Sequence, residues 1–428
     1  MPTSPLPSAP HPDHVRSITG TLMLPDAAGV RLAHGTLRIS GGVITAIDAA
    51  LDPRADLGGE HAIITPGFID CHLHLPQLDS IGIDGLELLE WLQRVIFPAE
   101  ARWADTTYAG SMAARVARQL LSFGTTSVAA YATVHHDAAV VAMRELDAAG
   151  IGGTVGQVLM DRNAPAELLR AAAQLLDEAA RLTPIGRITP AITPRFAVSC
   201  TDELLTGSGR LAAARPWPVQ THLAETHAEL ETIARLFPGI AYTEVYRRAG
   251  LLTPRTLLAH AIHLSDADRR SIAASGSIVA HCPTANLFLE AGAMDRLAAL
   301  RERVPLTLGS DVAGGPDRSM VRVARAMLET AKRLKHRPPT AAQAWYMITR
   351  GNADALAAAC SAAPDSLGGS LRVGAAADVL VLHPDIALDR STNPLSTLMY
   401  AWDDRWLRHT LTRGIVRWSA SETRSVTR

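Results

Sequence analysis

The middle of the chain, residues 62–358, alternates short apolar runs with longer stretches rich in alanine, leucine, arginine and glutamate. Eight of the apolar runs have the length of strands, at 62–69, 125–131, 153–160, 187–193, 218–222, 256–260, 277–281 and 305–310. Helical periodicity lies between them, as at 109–121, 166–182 and 320–334. Eight strands alternating with helices predict an α/β fold, a parallel (β/α)8 TIM-like barrel.

Two β-rich segments flank this middle region. Short strand patterns, with a predicted hairpin turn at Gly41-Gly42, occupy residues 15–61, and similar patterns return at 360–418. We therefore expect a small β-sandwich domain, formed from both chain ends, beside a barrel at 62–359.

The composition is typical of an intracellular globular enzyme. Hydrophobic residues make up 47% of the chain, and the net charge is −1, so we expect no surface for nucleic acid or membrane. The four cysteines form no C-x-x-C pair, which favours reduced thiols and a cytoplasmic location. Residues 1–14 lack the apolar run of a signal peptide and, like 419–428, are predicted to be a disordered tail.

The first barrel strand is predicted to end in the segment PGFIDCHLH, which closes with His72 and His74. In a strand, residues i and i+2 face the same side, so these two imidazoles can point at one place. An H-x-H pair alone is weak evidence for a metal site. Barrel enzymes carry their catalytic side chains at the C-terminal ends of the strands. The residues at the other strand ends therefore decide the interpretation.

Three later strand ends carry metal-binding or acid–base residues. The fifth run ends at His222, with Glu225 three residues on; the sixth ends at His260, and Asp311 follows the eighth. Each alone has an ordinary structural explanation, such as a buried histidine or a turn-capping aspartate. Together with the H-x-H pair they predict three imidazoles and one carboxylate around an open position, as in mononuclear catalytic zinc sites.

Such a cation lowers the pKa of a bound water toward ~7 and so generates hydroxide at neutral pH. Glu225 can take the water proton and return it to a departing nitrogen. His260 is either a further ligand or a neutral group that orients the hydroxide, and we favour the second role. We count Glu225, His260 and Asp311 as the catalytic residues. The only lysines, Lys332 and Lys335, lie beyond the middle strands, which excludes a lysine carbamate bridging two metals.

These motifs resemble those of the amidohydrolase superfamily, and longer segments narrow the resemblance to its guanine deaminases. The resemblance extends over residues 15–418, and its motifs are HLPQ (74–77), LLEWL (88–92), FPAEAR (97–102), TPRFAVSC (193–200), AHCPTANLF (280–288), LGSDVAGG (308–315) and DDR (403–405).

The resemblance implies hydrolysis of the 2-amino group of guanine to xanthine and ammonia by a homodimer with one Zn2+ per subunit. It implies that the zinc is held by His72, His74, His222 and Asp311. It also implies that the purine is bound by Gln77, Trp91, Arg195 and Phe196, with His260. These side chains suit the task, because arginine donates to a carbonyl, a glutamine amide donates and accepts, and aromatic rings stack.

Alternatives stay open at this stage. Trp91 could be core on a leucine-rich helix, and Arg195 could form a surface ion pair. The segment at 75–79 and Pro316 depart from the family pattern near the pocket mouth, so deaminases of 8-oxoguanine or pterins and triazine hydrolases remain candidates. A catalytically silent purine-binding relative would have lost a ligand or the glutamate, and every one of them is present.

Overall fold

The computed structural model describes residues 14–26, 28–363 and 365–420. The strands in these ranges are β1 (Ser17–Asp26), β2 (Gly29–Ser40), β3 (Val43–Asp48), β4 (Leu57–Pro66), β5 (Phe68–His74), β6 (Thr125–Tyr131), β7 (Gly152–Leu159), β8 (Ile188–Pro194), β9 (Val219–Leu223), β10 (Thr256–His260), β11 (Ile278–His281), β12 (Leu306–Leu308), β13 (Val379–Leu382), β14 (Leu407–Thr412) and β15 (Ile415–Ser419).

The α-helices in the same ranges are α1 (Leu88–Trp91), α2 (Phe97–Ala101), α3 (Thr106–Ser122), α4 (His136–Ala148), α5 (Ala172–Arg181), α6 (Asp202–Ala214), α7 (His227–Leu236), α8 (Tyr242–Arg248), α9 (Asp266–Ser275), α10 (Pro283–Phe288), α11 (Arg296–Arg301), α12 (Met320–Arg333), α13 (Ala341–Tyr346), α14 (Asn352–Ala359) and α15 (Pro394–Tyr400). Two π-helical turns, Leu92–Ile96 and Met347–Gly351, join α1 to α2 and α13 to α14. Short 3₁₀ turns lie at Leu75–Ser80, Arg102–Ala104, Ala166–Leu168, Leu388–Arg390 and Asp404–Trp406.

The predicted barrel is confirmed. Strands β5 to β12 form one parallel sheet in sequence order, and helices connect them. The two ends of this sheet meet where the backbone N–H of Asp311 donates to the carbonyl of His72, at 2.8 Å, and that of His74 donates to Val312, at 2.9 Å. The C-terminal ends of all eight strands therefore surround one opening.

Helix α3, which connects the first two barrel strands, has both a side-chain cap and an apolar face. The Asp105 carboxylate accepts from the backbone N–H groups of Thr107 and Tyr108 and so begins α3. The buried side of α3 then repeats at three- and four-residue spacing, as in Ala109, Met112, Ala113, Val116, Ala117 and Leu120. This spacing fixes the helix against the barrel.

The small β domain predicted from both chain ends is also confirmed. Its seven-stranded mixed sheet has the order β15-β14-β13-β4-β1-β2-β3, in which only β1 and β4 are parallel. The hairpin turn at Gly41-Gly42 joins β2 to β3, and both glycines have the positive φ angles that such a two-residue turn requires. An apolar cluster with Ile18, Leu37 and Val379 fills this domain.

The predicted strand 62–69 is in fact parts of two strands. The apolar run at 62–64 belongs to β4 of the small sheet, where Ile64 pairs with Val381, and the barrel strand begins only at Phe68. The chain crosses at Gly67, where any Cβ would lie 2.1 Å from the Thr126 hydroxyl. His72 and His74 consequently lie within the first barrel strand and not after it.

The predicted tails fall mostly outside the described residues, at 1–13 and 421–428. Ser419, placed in the second tail, instead ends β15, where it pairs with His409. None of the helices in the described part of the chain has the length and apolar character required to cross a membrane.

Candidate metal centre and purine pocket

The strand ends bring together the histidines and the aspartate that the sequence singles out. The Nε2 atoms of His72 and His74 lie 3.2 and 3.3 Å from Asp311 Oδ1. The Nε2 atoms of His74 and His222 are 3.2 Å apart. His260 is adjacent, with its Nε2 3.8 Å from Asp311 Oδ2. All five side chains are buried, so they face one another in an enclosed space.

A backbone carbonyl and a side-chain amide orient two of the histidine rings and determine which nitrogens face this space. His222 Nδ1 donates to the carbonyl of Arg195 at 2.6 Å, so Nε2 of the neutral ring carries a lone pair. His260 Nδ1 lies 2.9 Å from Asn286 Oδ1, which leaves its Nε2 facing the centre in the same way. His72 Nε2 lies 3.2 Å from Asp311 Oδ1 but has no contact with hydrogen-bond geometry among the described residues.

Burial and neighbouring charges favour the protonation states that a metal cation needs. Burial lowers the pKa of His74 to about 3 and, with the neighbouring imidazoles, holds the pKa of His222 well below its usual range. Burial alone would raise the pKa of Asp311, but its contacts with His72 and His74 outweigh that effect and hold its pKa well below the usual value. The cluster thus presents neutral imidazoles and an anionic carboxylate.

This donor set fits a divalent cation. Ligand atoms of His72, His74 and Asp311 lie within 4.8 Å of one another, as do those of His72, His222 and His260. Bare ring nitrogens and a carboxylate turned toward one point would repel one another without a cation between them. The Nε2 of His72, which lies beside the Asp311 carboxylate without forming a hydrogen bond to it, is further evidence for such a cation.

Glu225 lies beside this cluster on the loop between β9 and α7. Its Oε2 is 3.5 Å from His260 Nε2, while its buried Oε1 has no hydrogen-bond partner within the described ranges. Burial, reinforced by the negative charges of Asp311 and Glu229, raises the pKa of Glu225 well above its usual value. A carboxyl group with a raised pKa is suited to hold and release a proton near neutral pH.

Glu229, which the sequence reasoning missed, supports the loop that carries Glu225. Its carboxylate accepts from the Glu225 backbone N–H at 2.7 Å and from the Tyr242 hydroxyl at 2.6 Å. Glu229 also completes a capping box with Thr226 at the start of α7. The T-x-x-E spacing is a sequence signal that could have identified it.

Two further residues that the sequence reasoning missed, Asp70 and Asn286, support the cluster. Buried Asp70 accepts from the Ser310 hydroxyl at 2.5 Å, from the Ser310 N–H at 2.9 Å and from the His72 N–H at 3.2 Å. Asn286 contacts His260, as described above. His260 and Asp311 have φ angles of +67° and +52°, which non-glycine residues adopt only where their surroundings hold them.

A cavity opens from the cluster toward the surface and contains about 370 Å³ of space not filled by protein atoms, part of it open to solvent. Its walls include Trp91, Phe196, Leu88, Leu92 and Leu289, and its polar groups include Gln77 and Arg195. Apolar walls with a few convergent polar groups are typical of small-molecule sites.

The sequence left alternatives for two residues that border the cavity, Trp91 and Arg195. Trp91 is both core and pocket wall, since its indole N–H donates to the Ile83 carbonyl at 2.9 Å while its ring borders the cavity. Arg195 forms no surface ion pair: its side chain is buried and binds the buried carboxylate of Glu100 at 2.7 Å.

Comparison with known proteins identifies the class that this barrel and cluster define. Residues 63–416 match the model of the Amidohydrolase family. The chain belongs to that family.

Within it, the chain groups with the guanine deaminases. It is 35% identical over 309 residues to guanine deaminase of Dictyostelium discoideum, covering 69% of this chain and 68% of the relative. It is 31% identical over 371 residues to guanine deaminase of Rattus norvegicus, covering 81% of this chain and 80% of the relative. A crystal structure of guanine deaminase from C. acetobutylicum with bound guanine superposes with a TM-score of 0.85 at 29% identity, covering 94% of this chain and 99% of that one.

Proposed function

We propose that the chain hydrolyses the C2–amino bond of guanine, releasing ammonia and xanthine, with one zinc ion per subunit. The observation that carries the proposal is one cavity lined both by residues of the His/Asp cluster with Glu225 and by an arginine, a glutamine and two aromatic side chains. A flat purine with a carbonyl and a neighbouring amino-bearing carbon has the matching shape and polarity.

The ligands would be His72, His74, His222 and Asp311, a set of nitrogen and oxygen donors that suits zinc. A cation bound there lowers the pKa of water toward ~7. Glu225 takes a proton from the attacking water and delivers it to the amino nitrogen, so that a C–O bond forms at C2 while the C–N bond breaks. His260 lies 3.5 Å from Glu225 and orients the attacking oxygen.

The remaining pocket residues bind the ring. Arg195 donates to the purine carbonyl, and Gln77 hydrogen-bonds to the adjoining edge. Trp91 and Phe196 pack against the ring faces, and they hold a planar substrate at low entropic cost.

The test is ammonia release by protein purified without added metal on guanine, 8-oxoguanine and pterin, with metal content measured by mass spectrometry. We expect guanine to have the highest kcat/KM by at least tenfold. A guanine rate no higher than that of the other two substrates would refute the assignment, and absence of stoichiometric zinc from active protein would refute the metal.

We also propose that the enzyme is a cytoplasmic homodimer. The four cysteines are buried and unpaired, which suits a reducing compartment. The dimer rests on the family resemblance alone, and light scattering coupled to size-exclusion chromatography tests it, with a monomeric mass contradicting it.

A further inference from the structure

A carboxylate stands behind the pocket wall with both of its oxygens engaged. Glu100, on α2, is fully buried, and Arg195 Nη1 donates to each of its oxygens at 2.7 Å. Gln77 Nε2 donates to Oε1 of the same carboxylate at 3.0 Å. Glu100 does not border the cavity, but both of its partners do.

The Glu100 contact determines how the Gln77 amide is turned. A carboxylate only accepts hydrogen bonds, so the NH2 group of Gln77 must face it and the carbonyl oxygen must face away. Within residues 14–26, 28–363 and 365–420, the Oε1 atom of Gln77 has no hydrogen-bond partner. Because Gln77 lines the cavity, the free oxygen is available to a substrate N–H.

The contact with Glu100 also determines which N–H groups of Arg195 are left to bind a substrate. Only Nη1 is engaged by Glu100, and the Nε and Nη2 groups have no partner in the described chain. Phe97 supports the guanidinium, with Arg195 Cζ 5.5 Å from the centre of its ring. The pocket thus presents an arginine donor beside a glutamine acceptor, and Glu100 neutralises the arginine charge.

We propose that Glu100 is a positioning residue that sets substrate specificity: by fixing Arg195 and Gln77 it makes the pocket complementary to a ring carbonyl next to an N–H, as at C6 and N1 of guanine. In 2,6-diaminopurine the same edge carries an amino donor at C6 and an unprotonated acceptor at N1. That purine retains the 2-amino group, but its C6 amino donor would face the Arg195 donor and its N1 acceptor would face the Gln77 carbonyl oxygen. The inference rests on the proposed function for the identity of the substrate.

The first test compares guanine with 2,6-diaminopurine in the Glu100→Gln variant. A glutamine at this position can donate as well as accept, so the Gln77 amide is free to turn, and Arg195 loses its counter-charge. We expect kcat/KM for guanine to fall about 100-fold, mostly through KM, and that for 2,6-diaminopurine to fall less than tenfold. A purely structural role predicts equal losses for both purines, and equal losses would overturn the proposal.

Two further variants separate specificity from folding. Asp378→Asn breaks a comparably buried pair, in which Arg187 Nη2 donates to Asp378 Oδ2 at 2.6 Å away from the pocket, and should lower stability while leaving the preference unchanged. Glu100→Asp retains the carboxylate and should retain the preference for guanine, even at reduced activity. Loss of the preference in Asp378→Asn or in Glu100→Asp would overturn the proposal.

Binding measurements make the outcome independent of turnover. In the zinc-loaded Glu225→Gln background, fluorescence quenching gives Kd for both purines with and without Glu100→Gln. We expect the ratio of the Kd for 2,6-diaminopurine to the Kd for guanine to fall at least tenfold when Glu100→Gln is added. A ratio that Glu100→Gln leaves unchanged, or no preference for guanine before it is added, would overturn the role of Glu100. Failure of the wild-type protein to release ammonia from guanine would refute the proposed function instead.

Discussion

Asn352 closes the barrel beneath the proposed metal site. It is fully buried, and its Nδ2 donates to the carbonyls of Ile69 and Leu308, both at 2.8 Å. Its Oδ1 accepts from the Leu308 N–H at 3.0 Å. One side chain thus joins the strand that carries His72 and His74 to the strand that precedes Asp311, and Asn352→Ala removes that connection.

The expected loss follows from the backbone groups that are left unpaired. Three buried groups lose their partner, and each unsatisfied group costs about 1–3 kcal/mol. Water entering the space of the deleted amide recovers part of this, so we expect a loss of about 3–6 kcal/mol. Net stabilities of folded domains are only about 5–15 kcal/mol, so the variant should be close to unfolding.

The assay is the urea midpoint of zinc-loaded protein, with zinc affinity measured in parallel. The control is Asn393→Ala, which removes one exposed helix cap, the hydrogen bond from Ser396 N–H, and should cost about 1 kcal/mol. Zinc affinity should fall only in Asn352→Ala, because the two strands supply three of the proposed ligands. A midpoint shift no larger than that of the control would refute the reasoning.

Three other predictions concern the site itself. Glu225→Gln should retain zinc but lower kcat at least 100-fold, because an amide cannot shuttle the proton, and full activity in the ammonia assay would refute that role. Tyr242→Phe removes the 2.6 Å hydrogen bond to Glu229 and should lower the free energy of unfolding, measured by urea titration, by about 2 kcal/mol. It should also lower kcat. Unchanged stability and kcat would contradict the support we assign to Glu229. Chelation by 1,10-phenanthroline should abolish activity, and Zn2+ but not Mg2+ should restore it, whereas recovery with Mg2+ would contradict the nitrogen-rich site.

The positions of the candidate ligands could be predicted because parallel strands converge. Once eight strands alternate with helices, their C-terminal ends share one face, and polar residues at those ends must meet. His222, His260 and Asp311 are far apart in sequence, yet the strand count alone places them beside His72 and His74. The structure brings these side chains together, while their chemical roles remain proposals for experiment.

The boundary between the two domains could not be predicted from hydropathy. The apolar run at 62–64 and the segment from Phe68 form one continuous buried pattern, although they belong to different sheets. A buried strand has the same apolar sequence pattern whether its neighbours are barrel strands or strands of the small sheet. The local sign of the crossing is the Pro66-Gly67 pair, and the need for Gly67 to lack a side chain arises from Thr126, 59 positions away (126 − 67).

A buried acidic partner for Arg195 could have been inferred from charge balance, although no local pattern marks Glu100 as that partner. On sequence alone it is an acid in the first turn of a short helix, where solvent exposure is the ordinary expectation. Assigning Arg195 to a closed purine pocket, however, buries a cation, and neutral guanine cannot compensate its charge. A buried guanidinium needs a carboxylate partner in the protein. Placing an arginine against a neutral substrate therefore requires an acid somewhere else in the chain, and only the fold reveals that Glu100 is that acid.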